Sequence, residues 1–127
     1  MRTRPTALLL GTAAVALLAA CGGSSGSSSG TTPSNVDVVM TATDGLVWKD
    51  KAVTATAGDV TIELKNQSSV GHNLYIIAAD GTENPKSIAS SGRGDNKTET
   101  VNLAAGTYTI ICKIPGHTNM KSTLTVS

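Results

Sequence analysis

The scarcest reactive side chains of this chain lie close together. Cys112-Lys113-Ile114-Pro115-Gly116-His117-Thr118-Asn119-Met120 holds a thiol, an imidazole and a thioether, in a sequence with only two Cys, two His and three Met. The other imidazole, His72, is far upstream. Two imidazoles, one thiolate and a weak thioether form the donor set that copper takes in a trigonal arrangement with a long axial bond. Zinc is the competitor, but structural zinc sites favour four strong ligands, usually several Cys, and a thioether is a poor one. A copper thiolate site held between the preferences of Cu(I) and Cu(II) reorganises little when its charge changes, and fast one-electron transfer follows. Taken singly the residues have plainer readings: a lone buried Cys is ordinarily a small hydrophobe, His72 a strand-end residue, His117 a loop histidine and Met120 packing beneath the loop. Their joint spacing, C-x4-H-x2-M with a second His, is what points to one metal.

Enzymatic turnover is not expected. Asp and Glu are scattered singly, so no carboxylate pair stands out for acid–base work. Four protein ligands leave no open position for a substrate. Two His cannot also build a second copper, and a single Cys in the folded part excludes a two-thiolate dinuclear centre.

The elements that must position these donors read as strands. Val60, Ile62 and Leu64 alternate with Thr61, Glu63 and Lys65, and Val53, Ala55 and Ala57 alternate with Thr54 and Thr56. Further strands are expected over 36–42, 72–79, 97–103, 107–113 and 121–127, with turn signals at Asp44-Gly45, Gly58-Asp59, Asn66 to Gly71, Asp80-Gly81 and Ala105-Gly106. Phe is absent and Trp48, Tyr75 and Tyr108 are the only aromatics, so the core must come from Val, Ile, Leu and Ala, with Met40 among them. About seven to eight short strands in one domain of residues 36–127 predict an all-β, antiparallel Greek-key sandwich. The irregular stretch 80–96 is expected to hold either a short edge strand or a helical turn. Alternation puts Tyr108, Ile110 and Cys112 on one apolar face and His72 with Leu74 and Ile76 on another. A Pro115-Gly116 turn would swing His117 back toward both.

Residues 42–127 resemble the cupredoxins, the type 1 blue copper proteins such as plastocyanin, azurin and amicyanin. The resemblance rests on Asn66, Gly71-His72-Asn73, Ala104-Ala105-Gly106-Thr107-Tyr108, Cys112 to Met120 and the closing Thr123-Leu124-Thr125-Val126. It implies one type 1 copper, bound in plane by His72, Cys112 and His117 and axially by Met120. It also implies that Asn73 ties the two ligand loops together, that Trp48 plugs the end of the barrel and that His117, nearest the surface, is the electron's exit. Two residues separate His117 from Met120, as in the amicyanin type, but four separate Cys112 from His117. That combination makes an unusual axial geometry the expectation, with the Gly71 carbonyl as a further weak ligand. Pro115 has no N–H to give the Cys112 sulfur, which leaves the Ile114 amide as the expected donor.

The N-terminus reads as an address. Arg2 and Arg4 precede an uncharged apolar run from Leu8 to Ala20. At about 1.5 Å per residue it is too short to span a bilayer as a helix. Residues 1–20 are expected to be a lipoprotein signal peptide, and the Leu-Ala-Ala-Cys ending resembles a bacterial lipobox that makes Cys21 the lipidated N-terminus. The alternative is a soluble secreted protein with Cys21 paired to Cys112. Residues 21–35, rich in Gly and Ser, would then be a flexible tether above a membrane. The expected protein is an extracytoplasmic, membrane-anchored electron carrier between redox proteins such as cytochromes or oxidases. The alternative function is copper binding, storage or delivery without a redox partner. No clustered basic excess suggests nucleic acid. Without Arg2 and Arg4 the formal charge is near neutral, so weak steering and docking through a small apolar patch around Gly71, Ile114, Pro115 and Gly116 are expected.

Overall fold

The computed structural model describes residues 35–127; the expected signal peptide, Cys21 and the tether up to residue 34 lie outside them. The described chain contains no helix and runs through β1 (Val38–Thr43), β2 (Val47–Trp48), β3 (Ala52–Ala55), β4 (Gly58–Asn66), β5 (His72–Ala78), β6 (Ile88–Ser90), β7 (Lys97–Leu103), β8 (Gly106–Ile111) and β9 (Lys121–Val126). The order is β2-β1-β4-β7 in one sheet and β3-β9-β8-β5-β6 in the other. The all-β sandwich follows the expectation, with nine strands in place of seven or eight. The additions are β2, a two-residue strand closing the turn after β1, and β6, which resolves the 80–96 stretch as an edge strand on β5.

The sheets are mixed, which corrects the antiparallel expectation. β1 runs parallel to β4, with Val38 opposite Ile62 and Ala42 opposite Asn66, and β3 runs parallel to β9, with Ala52 opposite Thr123. Alternation fixes which face of a strand is buried but not the direction of its neighbour, so this lay beyond the sequence pattern. Strict period-two burial in β9 sends Ser122, Leu124 and Val126 inward. From the facing sheet come Val38, Met40, Val60, Ile62 and Leu64, with Leu74, Ile76 and Ile110 completing one aliphatic core. Trp48 is wholly buried at the rim of this core, its ring centroid 6.4 Å from that of His72.

Strand ends define the poles. β4 ends at Asn66, β5 begins at His72, β8 ends at Ile111 and β9 begins at Lys121, so all four present their connecting loops at one end of the sandwich.

Candidate metal centre

Backbone rules dictate the shape of the loop between β8 and β9. In Ile114-Pro115-Gly116-His117, the His117 N–H donates to the Ile114 carbonyl at 3.0 Å and Gly116 has φ 89°. Pro at the second position and a left-handed Gly at the third are what a type II turn requires. A second tight turn follows, the Met120 N–H donating to the His117 carbonyl at 3.0 Å, and the Cys112 N–H closes the loop onto the Met120 carbonyl at 3.1 Å. The loop is therefore pinned at its base by its own main chain.

This folding brings together the three donors that the sequence singled out. His72, Cys112 and His117 are all buried, and their ligand atoms lie within 4.8 Å of one another. The His72 Nδ1 is 3.1 Å from the His117 Nδ1, which is 3.5 Å from the Cys112 Sγ. Cys112 is a free thiol. Met120 is wholly buried at the foot of the same loop. His117 is 8% exposed against 1% for His72, so of the two imidazoles it lies nearer the surface. Burial, and then the charge of neighbouring His117, hold the His72 imidazole below its ordinary pKa of 6.5. At neutral pH the ring is therefore neutral, with a nitrogen lone pair to offer a metal.

Residues around the donors hold them still. Asn73 Oδ1 accepts from the Lys113 N–H at 2.6 Å, joining the start of β5 to the residue after Cys112. The Asn73 N–H points at the Cys112 Sγ at 3.5 Å. The pairing of β5 with β8 is what delivers the Asn73 amide to the sulfur.

Asn66, 2% exposed, satisfies its amide completely: its Nδ2 donates to the Val70 carbonyl at 3.0 Å and to Ser90 Oγ at 2.9 Å, and its Oδ1 accepts from the Ser68 N–H at 2.8 Å. Ser90 pairs with His72 across β5 and β6. The network therefore fixes the loop that leads into the first imidazole. Gly71 sits where a Cβ would stand 3.0 Å from the Ser90 carbonyl oxygen, so only glycine lets the two backbones approach this closely. Sequence reasoning did not find Ser90, because a lone Ser in an irregular stretch carries no signal until β6 is seen.

The donor set is one that copper takes: imidazole nitrogens and a thiol sulfur converging in a buried pocket, with a thioether on the same loop. Comparison with known proteins agrees. Residues 34–127 match the copper binding proteins of the plastocyanin/azurin family. Auracyanin-A of Chloroflexus aurantiacus is 31% identical over 139 aligned positions, covering 84% of this chain and 85% of that protein. Among solved structures, a purple cupredoxin from Nitrosopumilus maritimus superposes with a TM-score of 0.56 at 22% identity, covering 72% of this chain and all of that one (100%). The Cu(I) form of an amicyanin point mutant gives 0.54 at 16% identity, over 72% of this chain and 82% of its own. The chain belongs to the plastocyanin/azurin family of copper-binding proteins.

Proposed function

From that membership we propose that the chain is a membrane-anchored carrier of single electrons between redox partners outside the cytoplasm. In this reading His72, Cys112, His117 and Met120 would hold one copper ion, while a lipidated Cys21 would provide the anchor. The supporting observation is the convergence of two imidazole nitrogens and one sulfur within 4.8 Å in a buried pocket. A copper ion bound there supplies one-electron redox chemistry. The protein's part is to keep the donors from moving. The closed loop from Cys112 to Met120, the Asn73 bridge to Lys113 and the Asn66 network all fix ligand positions before any metal arrives. Such preorganisation lowers the rearrangement that accompanies gain or loss of an electron. His117, the outer imidazole, gives the electron its route to a partner, with cytochromes or oxidases as the partner class.

The low exposure of the donors (His72 1%, Cys112 7%, His117 8%) favours retention of the ion over handover, and so favours a carrier over a delivery protein. The test is to add Cu(II) to the purified chain and record absorption and EPR spectra. An intense sulfur-to-copper charge-transfer band with a narrow copper hyperfine splitting is expected, and Cys112→Ser should abolish both. A protein that stays colourless with stoichiometric metal, or keeps its colour in Cys112→Ser, overturns the reading. Rapid transfer of Cu(I) to an apo-acceptor would replace it with delivery.

A further inference from the structure

The near-neutral formal charge conceals a sorting of charges by pole. Residues 35–127 carry eight Lys and Arg and nine Asp and Glu. Four ion pairs remove half of the cations and four of the acids from consideration: Lys86 with Glu99, Arg93 with Asp44, Lys97 with Asp95, and Lys113 with Glu83. The cations left without a carboxylate partner among the described residues are Lys49, Lys51, Lys65 and Lys121, and all are exposed.

Register places each of these lysines toward the pole of the metal centre. Lys121 begins β9 directly after Met120, and the Lys51 carbonyl accepts from the Thr123 N–H, which sets it beside the start of that strand. Lys65 is the residue before the end of β4, and the Lys49 N–H donates to the carbonyl of Thr41, the partner of Lys65 across β1 and β4. One unpaired acid, Asp50, lies among them. Three of the other four stand at the far pole: Asp37 beside Thr61 near the start of β4, Asp59 as the second residue of β4, and Asp80 in the turn after β5. Glu63 lies between, inside β4. Lys121 also lines a surface depression with Ile114, Pro115 and Gly116, so part of the cationic surface is continuous with the apolar rim of the loop that carries His117.

Resting on the electron-carrier reading, we propose that the pole around the Cys112–Met120 loop is a docking face for an acidic redox protein, steered there by Lys49, Lys51, Lys65 and Lys121. The molecule is a dipole whose positive end holds the site, and a partner close to that end meets the local field before the net charge. The direction of steering is then opposite to what a formal charge of −1 would give. The step itself moves one electron from partner to copper, oxidising ferrous haem to ferric and reducing Cu(II) to Cu(I), with no bond made or broken.

The test compares two donors to the Cu(II)-loaded chain by stopped flow: ferrous cytochrome b5, an acidic protein, and hexaammineruthenium(II), a cation. With the cytochrome the rate should fall about threefold or more as salt rises from low to high ionic strength. With the ruthenium complex it should rise or stay flat. Lys51→Gln combined with Lys121→Gln should flatten the cytochrome's salt dependence, whereas Asp59→Asn combined with Asp80→Asn should leave it unchanged. Slopes of the reverse sign, following net charge, overturn the docking face while leaving the carrier reading intact. If neither donor reduces the copper, the carrier reading fails. The face is also read without metal: in an NMR titration of the apo chain with cytochrome b5, shifted amides should gather at 49–51, 65 and 113–121. Shifts gathered at the opposite pole, or no shifts at all, overturn it.

Discussion

Removing one acceptor oxygen should separate stability from metal affinity. Asn73→Ala deletes the Oδ1 that receives the Lys113 N–H at 2.6 Å but leaves the Asn73 N–H toward the Cys112 sulfur, because that group belongs to the main chain. Lys113 is exposed, so water can satisfy the abandoned N–H, and the cost to the metal-free protein should be that of one net hydrogen bond, about 1 kcal/mol. For a domain of this size that corresponds to a fall in Tm of about 4–8 °C. The copper-loaded protein should lose more. Groups that orient ligands typically cost about 10–100-fold in metal affinity when removed. Through linkage that is an extra loss of about 1.4–2.7 kcal/mol at saturating copper. Paired urea melts of the apo and loaded forms, with absorption spectra of the loaded form, measure both quantities. Asn73→Asp keeps an acceptor in place and should recover most of the apo loss. Equal losses in the two forms with an unshifted spectrum would refute the positioning argument and leave Asn73 with an ordinary structural bond.

Other expectations follow from the same geometry. Gly71→Ala should cost about 1–3 kcal/mol in a denaturant melt, because its Cβ would meet the main-chain oxygens of Ser90 and Ser91 at 3.0 and 3.4 Å; since Ser90 pairs with His72, the charge-transfer band should also shift. Asn66→Ala leaves the Ser68 N–H, the Val70 carbonyl and Ser90 Oγ without their partner and should cost about 3 kcal/mol, whereas Ser90→Ala should cost only about 1 kcal/mol in the same assay. The Asp95 carboxyl is lowered to about 2, first by the Lys97 ammonium and then by the Ser91 N–H. Its contribution is present above the ordinary carboxylate pKa of 3.8 and is lost as pH falls through about 2. Carbon-detected NMR titration should place its midpoint near there, and Lys97→Gln should move it up toward 3.8.

Much of the site was legible because its signals are local. Cys112, His117 and Met120 fall within one segment, and Pro115-Gly116 names its own turn type. His72 was legible through its apolar alternation with Leu74 and Ile76, which put it on a buried face. Strand number and direction were less so. β2 is only two residues long, β6 three, and neither carries enough period to be heard. The parallel pairings of β1 with β4 and β3 with β9 are set by how the two sheets close, which alternation does not encode. The bond from the Asn73 amide to the sulfur escaped for the same reason: it depends on the register between β5 and β8. The placement of charge was the least legible, since a sum over the sequence loses position, and only the strand order reveals that the unpaired lysines share a pole.

The last strand is not at an edge. β9 sits between β3 and β8, so the N-terminal part of its sheet has no partner until the final residues are available. Contacts so distant in sequence close late and slowly. A chain in which β9 has not yet docked is an open half-sandwich, the β8 edge that β9 covers left bare. Insertion of that strand is the event that shuts the molecule.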